Sequence, residues 1–178
     1  MTKYLLLALS IISIAQASDS DLIETCEACH GASGISSNPQ WPNLAGQQAD
    51  YLAKEIAAFK NGDRADPIMP ASLLEQFSDL QIQKIAGYYA SLPKASVVQI
   101  ESNLAGRYVR ARCISCHGMT GNTVTSLWPN LAGQKSAYLK KQLLAYKTGK
   151  RIHPMMQVIT DELSEQEISD VADYYGGE

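Results

Sequence analysis

The sequence has no cysteine outside two short motifs. All four cysteines of its 178 residues belong to the pentapeptides at 26–30 and 113–117, Cys-Glu-Ala-Cys-His and Cys-Ile-Ser-Cys-His. None is left for a structural disulfide. A four-cysteine zinc site usually separates its two pairs by roughly 15–20 residues, whereas 83 residues lie between Cys29 and Cys113. A thioredoxin-like redox pair needs only one such motif and gives no role to the histidines that follow.

Long apolar runs are also missing. Lys3 precedes an apolar stretch from Tyr4 to Ile14, which is shorter than the ~20 residues of a membrane-spanning helix. The stretch ends in Ala-Gln-Ala, a small-x-small cleavage pattern. These features predict a signal peptide over residues 1–17, cleaved after Ala17, and export to the periplasm. Cleavage leaves 161 residues without a second run of spanning length.

The chain has no excess of basic residues. Its 15 Lys and Arg face 18 Asp and Glu, a net charge of −3, which argues against nucleic acid as a partner. The charge is unevenly spread, with −6 over residues 18–92 and +2 over residues 93–178. Such an asymmetry can steer transient encounters with charged partners, or it can serve solubility alone.

The two cysteine motifs indicate the chemistry. In C-x-x-C-H the thiols are spaced to form thioethers with the two vinyl groups of one haem, and the next residue brings an imidazole to the iron. The residues of this pattern are Cys26, Cys29 and His30, and Cys113, Cys116 and His117. We therefore predict two covalently bound haem c groups, with His30 and His117 as iron ligands.

The motifs are part of an internal duplication. At a constant offset of 87, the heptapeptide Trp-Pro-Asn-Leu-Ala-Gly-Gln at 41–47 returns unchanged at 128–134. Beyond Met69 the offset drops to 86, so that Ser78 matches Ser164. One residue has therefore been deleted from the second copy.

A duplication of this length predicts two domains. We expect the first over residues 18–92, a linker over 93–102 and the second over 103–178. A half of about 75 residues has little core of its own, so a haem must supply much of its apolar interior.

Apolar spacing predicts helices throughout both halves. The predicted helices span residues 21–29, 48–61, 104–116 and 135–148. Gly62 and Gly149 are the expected stops for the second and fourth of these. A last helix in each half begins at a capping box, Ser78-x-x-Gln81 and Ser164-x-x-Glu167. The expected core positions on these last helices are Ile82, Ile85, Ala86 and Tyr89, and Ile168, Val171, Ala172 and Tyr175.

The second axial ligand of the first iron follows by elimination. The first half contains one histidine, His30, and one methionine, Met69, which lies 39 residues further along. That distance lets the chain reach the opposite face of the haem. A thioether ligand raises the potential, which suits a carrier near the oxidising end of a respiratory chain.

The second half leaves alternatives. His153, Met155 and Met156 lie together. Met156 repeats the Pro-x-Met spacing of Met69 and is the predicted ligand, with Met155 and His153 as the other candidates. Met119 follows His117 by two residues and cannot reach the far face.

These motifs resemble those of class I cytochromes c. In that family a proline twelve residues after the haem histidine, within Pro-Asn-Leu-x-Gly, presents its carbonyl to the free N–H of the histidine; Pro42 and Pro129 stand at that distance from His30 and His117. An acceptor there would fix the imidazole and raise its basicity. Two such domains behind a signal peptide resemble cytochrome c4, a family of periplasmic electron carriers.

The resemblance implies an all-α protein of two tandem class I cytochrome c domains, each wrapped around one covalently bound haem c. It implies redox proteins as partners, with electrons passing from a quinol-oxidising respiratory complex towards a terminal oxidase. It leaves open peripheral association with a membrane and a role as the dihaem electron-transfer subunit of a periplasmic oxidoreductase. A dihaem peroxidase would need an exchangeable position on one iron, and Met69 and Met156 argue against such an enzyme.

Two further repeated pairs have weaker claims. Trp41 and Trp128 can donate an indole N–H to a haem propionate or can serve packing alone. Arg64 and Arg151 can pair with a propionate or can lie in solvent.

Overall fold

A computed structural model describes residues 19–96 and 103–176. The predicted signal peptide, 1–17, lies outside the described residues, as do residues 97–102 of the predicted linker. Within the described ranges the chain forms helices and turns and no β-strand, apart from one isolated bridge between Gln134 and Gly176. None of the described helices is long and apolar enough to cross a bilayer.

The helices follow the duplication. The first half contains α1 (Asp19–His30), α2 (Ala49–Asn61) and α3 (Asp79–Ser91), with a 3₁₀ turn at Ala71–Leu73. The second half contains α4 (Leu104–Val109), α5 (Ile114–His117), α6 (Ser136–Lys147), α7 (Pro154–Asp161) and α8 (Glu165–Tyr175), with a 3₁₀ turn at Arg110–Arg112. Helix α3 packs on α1 and α2, and α8 packs on α4 and α6.

The predicted helix ends are confirmed for the middle helix of each half. Helix α2 ends at Gly62, which has a φ of 80° and donates its N–H to Phe59 O. This left-handed conformation costs glycine little and stops the helix. Helix α6 ends at Lys147 with Thr148 as its C-cap, and the next residue, Gly149, has a φ of 71°.

The last helix of each half has the predicted caps and core. In α3 the Ser78 hydroxyl accepts from Gln81 N while the Gln81 side chain accepts from Ser78 N, and Ser164 and Glu167 repeat this box in α8. The predicted core positions are all buried: Ile82, Ile85, Ala86 and Tyr89 in α3, and Ile168, Val171, Ala172 and Tyr175 in α8. Each half therefore packs its own apolar core around its last helix.

The prediction of a single helix over residues 104–116 is wrong. The chain tightens at Arg110–Arg112, where Cys113 N donates to Arg110 O, three residues back, at 2.7 Å. The side chains of this turn are held elsewhere, since Arg110 donates to Met119 O and Arg112 donates to Glu167. The second half thus approaches its cysteine motif through α4 and a 3₁₀ turn, whereas α1 reaches His30 without a break.

Helix α7 is the element that the sequence patterns missed. Pro154 takes its first turn, where a proline fits, and the His153 side chain accepts from Met156 N at 3.5 Å. In the first half Pro70 directly follows Met69, whereas in the second half Gln157 directly follows Met156. A residue before proline is pushed out of the helical region, so the chain around Met69 forms turns instead.

Candidate haem centres and the interface between the halves

The two cysteine motifs present their histidines in the same way. Cys26, Cys29 and His30 lie in the last part of α1, and His117 ends α5. His30 Nδ1 is 2.9 Å from Pro42 O, and His117 Nδ1 is 2.9 Å from Pro129 O. This confirms the hydrogen bond expected twelve residues after each histidine. Because a carbonyl only accepts, Nδ1 carries the proton and Nε2 keeps a free lone pair.

Burial keeps both imidazoles neutral. Desolvation lowers the pKa of His30 and His117, and the bond to the proline carbonyl opposes this only in part. A neutral imidazole is the form that binds a metal ion. Burial acts on the cysteines in the opposite sense and raises the pKa of the Cys26 and Cys113 thiols to about 11. None of the four cysteines is in a disulfide.

One continuous cavity joins the two motifs. Its walls include the cysteines of both motifs together with His30 and His117. The methionines Met69, Met155 and Met156 line it as well, and so does His153. Because residues from both halves surround one space, the two candidate centres share a single interior.

The methionine candidates differ in exposure. Met69 and Met156 are half-buried, whereas Met155 is 50% exposed and Met119 is 62% exposed. Met119 is not part of the cavity wall. His153 uses Nδ1 as the acceptor that caps α7 and packs its ring edge-on against Tyr146.

Two buried polar atoms beside the cavity have no hydrogen-bond partner within the part of the chain that the structure describes. They are Trp41 Nε1 and Tyr175 OH. Native proteins seldom leave such groups unpaired. The cavity therefore fits a group that brings polar atoms as well as a large apolar surface. A haem meets both conditions, because its macrocycle is apolar and its propionates accept hydrogen bonds.

The repeated heptapeptide also builds the interface between the halves. Asn43 N donates to Gln134 Oε1 at 2.7 Å, and Gln134 Nε2 donates back to Asn43 O at 2.9 Å. The same pair recurs with the halves exchanged, as Asn130 N donates to Gln47 Oε1 at 2.7 Å and Gln47 Nε2 donates to Asn130 O at 2.9 Å. All four side chains are buried. The exchange of partners means that the halves are related by an approximate two-fold axis.

Each asparagine also joins the interface to the loop that follows the C-x-x-C-H motif of its own half. Asn43 Oδ1 accepts from Ser36 N at 3.0 Å, and its Nδ2 donates to Gly133 O at 2.9 Å. Asn130 repeats both contacts with Thr123 N and Gly46 O, at 3.0 Å each. Since Pro42 and Pro129 immediately precede these asparagines, the residues that orient the histidines and those that join the halves are neighbours.

A second network lies on the same axis. Arg64 donates to Tyr138 OH at 3.0 Å, and Arg151 donates to Tyr51 OH at 3.1 Å, so each arginine reaches into the other half. Arg64 is 9% exposed and Arg151 is 7% exposed, which excludes the expectation of solvent-exposed arginines. Both line the cavity. A further cross-half contact is the ion pair of Lys141 with Asp66.

Sequence reasoning missed this interface although its residues were visible as repeats. The heptapeptide, the arginines and the tyrosines Tyr51 and Tyr138 all recur at the offset of 87. A repeat shows that a position is constrained twice, and it does not show that the two copies touch each other. The available sign was the repeat of asparagine and glutamine within a largely apolar heptapeptide, since such side chains need hydrogen-bond partners when they are buried.

The chain is similar to known proteins over most of its length. A family model described as Cytochrome c matches residues 20–93 and 105–175. Cytochrome c4 of Pseudomonas aeruginosa is 35% identical over 168 residues, 85% of this chain and 83% of that protein. The thiosulfate dehydrogenase electron acceptor of Stutzerimonas stutzeri is 31% identical over 195 residues, 94% of this chain and 90% of its own. The crystal structure of reduced cytochrome c4 from Pseudomonas stutzeri has a TM-score of 0.80 at 30% identity, covering 89% of this chain and 96% of that one.

Proposed function

The chain belongs to the cytochrome c family as a dihaem, cytochrome c4-like electron-transfer protein, and on that basis we propose that it carries electrons in the periplasm from a quinol-oxidising complex towards a terminal oxidase. Its fold is all-α, with two tandem cytochrome c domains and two covalently bound haem c groups. When bound, each haem iron takes up and releases one electron.

We propose that the cysteines of the two motifs hold the haems as thioethers. The assignment covers Cys26 and Cys29 for the first haem, and Cys113 and Cys116 for the second. His30 and His117 are the proximal ligands in this proposal. The support is that each imidazole is buried and neutral and is fixed through Nδ1 by a proline carbonyl, which leaves Nε2 for the metal.

Met69 and Met156 are the proposed distal ligands. Both are half-buried and line the cavity that contains the histidines. Met155 is more exposed, and His153 is used as the cap of α7, which makes each a weaker candidate. A methionine on both irons leaves no free coordination position, and this favours a carrier over a dihaem peroxidase.

We further propose that the mature protein runs from residue 18, with domains at 18–92 and 103–178 joined by 93–102. The small-x-small pattern at Ala17 supports export. The observation that most supports the proposed function is the continuous cavity that the two cysteine motifs share. Two redox centres inside one packed molecule suit a carrier that accepts and passes on single electrons.

A second candidate is that the chain accepts electrons from a sulfur-compound dehydrogenase. It is favoured by the likeness to the thiosulfate dehydrogenase electron acceptor of Stutzerimonas stutzeri. The two candidates differ in the donor and share the same haem chemistry.

Reduction kinetics separate them. The oxidised holoprotein is mixed in turn with a purified quinol-oxidising complex and its quinol, and with a thiosulfate dehydrogenase and thiosulfate. We expect the quinol-oxidising complex to reduce the protein about as fast as that complex turns over. Fast reduction by the dehydrogenase, with slow reduction by the quinol-oxidising complex, would favour the second candidate.

A further inference from the structure

Glu55 is the residue at which the two-fold network of the interface loses its symmetry. Glu55 Oε2 accepts from Arg64 Nη1 at 2.6 Å and from Arg151 Nη2 at 2.8 Å. The equivalent residue, 87 positions later, is Gln142, whose Oε1 accepts from Arg64 Nη2 at 2.7 Å and from Arg151 Nη1 at 2.9 Å. Each arginine is therefore bound by both residues. The geometry of the two sides is the same, but only one side carries a charge.

The charges of this network do not cancel. Two guanidiniums that are nine-tenths buried face one carboxylate, whose side chain is 17% exposed. Burial works against charge on both arginines, yet the pKa of each lies above its usual value because tyrosine oxygens and the Glu55 carboxylate face it. A buried charge needs a partner, so the excess positive charge calls for a further anion.

The arginines have little freedom to turn elsewhere. Arg64 lies over the Phe59 ring at 4.4 Å, and Arg151 lies over the equivalent ring of Tyr146 at 4.6 Å. Tyr138 and Tyr51 hold them from the opposite half. Both guanidiniums line the cavity shared by the two haem motifs, where the propionates of bound haems would be the available anions.

We propose that Glu55 is a positioning residue that holds both interface arginines against the shared cavity and lowers the potentials of both haems together. A buried negative charge favours the oxidised, more positive iron, and the interior screens it poorly. Because Glu55 bridges both arginines near the two-fold axis, its charge acts on the two centres alike. The inference rests on the two haems being bound as proposed above, and it is independent of which proteins exchange electrons with them.

The duplication supplies a set of matched variants for a redox titration of the holoprotein. Glu55→Gln makes the network symmetric without the carboxylate, and both midpoint potentials should rise. Gln142→Glu makes it symmetric with two carboxylates, and both potentials should fall. The exchange variant, Glu55→Gln with Gln142→Glu, moves the charge to the other half. It should return the mean of the two potentials to that of the native protein.

The control is Glu75→Gln, which removes one carboxylate from an exposed position outside the cavity. It should leave both potentials unchanged, because water and salt screen a surface charge. Glu55→Asp keeps the charge and should stay closer to the native potentials than Glu55→Gln. A purely structural role for Glu55 would instead lower the unfolding midpoint without shifts of opposite sign in Glu55→Gln and Gln142→Glu.

Three results would overturn the inference. They are a shift confined to one haem in both single variants, shifts of the same sign in both, or an exchange variant whose mean potential stays displaced. Failure of the proposed haem binding is seen separately, as a native protein with fewer than two haems or without methionine–Fe(III) absorption.

Discussion

The two halves share the positions that we propose contact the haems and the positions that contact the other half, and they differ in the elements around those positions. The histidine–proline hydrogen bond is 2.9 Å in both halves, and the asparagine–glutamine exchange across the interface is repeated almost to the tenth of an ångström. The chain after Met69 instead forms a 3₁₀ turn, where the second half has α7. The contacts of the histidines and of the interface therefore have the same geometry in both halves, although the backbone after the methionine differs between them.

The surfaces differ more than the interiors. Three exposed positions of the second half hold Val124, Leu127 and Ile152, at 105%, 60% and 73% exposure. Their counterparts in the first half are the smaller or polar residues Ser37, Gln40 and Ala65, which are also exposed. Together with net charges of −6 and +2 over the two halves, this means that the halves present different faces to a partner. Apart from Glu55 and its counterpart Gln142, the halves thus repeat their buried interface contacts, whereas their exposed residues differ.

The largest effect is expected from removing one attachment site. Cys113→Ser with Cys116→Ser should leave one haem per chain, held by the first half, because each thioether pair serves its own haem. Cys26→Ser with Cys29→Ser should give the same count with the second half loaded. Haem quantification after acid–acetone extraction checks both. Two retained haems in either variant would show that the motifs are not the attachment points.

The distal ligands should be equivalent in the two halves. Met69→Ala and Met156→Ala should each abolish about half of the methionine–Fe(III) absorption and lower one potential, since a thioether ligand raises the potential. Met155→Ala is the control and should leave both nearly unchanged. An effect of Met155→Ala in place of Met156→Ala would assign the second ligand to Met155.

The interface should contribute to stability through both halves. Gln134→Ala leaves the buried Asn43 N and O without their partner. Each unsatisfied group should lower the free energy of unfolding by roughly 1–3 kcal/mol. Gln47→Ala should destabilise by a similar amount, because it strands the same atoms of Asn130. Denaturant unfolding measures both, with the exposed Gln83→Ala as control. Unequal losses of stability in the two variants would show that the two halves of the interface differ in energy although their hydrogen bonds are alike.

Several of these features could be predicted from the sequence because they are local or repeated. The capping boxes at Ser78 and Ser164, the core stripes of α3 and α8 and the histidine–proline contact follow from short spacings. Contacts between the copies could not be predicted, since Asn43 and Gln134 are 91 residues apart and no periodicity relates them. The break before Cys113 could not be predicted either, since the contacts of Arg110 with Met119 O and of Arg112 with Glu167 that accompany it form only in the folded chain.

The smallest effect is expected from surface charge. Lys141 pairs with Asp66, and Lys147 donates to the carbonyls of Thr160 and Asp161. Lys140 is exposed and donates only to the uncharged Ser169 hydroxyl, at 3.2 Å, so its charge is the one of the three suited to docking. Lys140→Glu should change the association rate about a few-fold with one redox partner and leave the other within error. Glu75→Lys on the first half should do the reverse. Stopped-flow rates at several ionic strengths check this, and equal effects on both partners would show that the halves do not divide docking.

In our proposal one chain holds two haems, each with one histidine and one methionine as iron ligands and each exchanging one electron. An optical redox titration of the purified holoprotein is its decisive test. We predict two one-electron steps of equal amplitude, with methionine–Fe(III) absorption that disappears in two equal parts on reduction. A single step that accounts for one haem per chain, or a second step without loss of methionine–Fe(III) absorption, would contradict this conclusion.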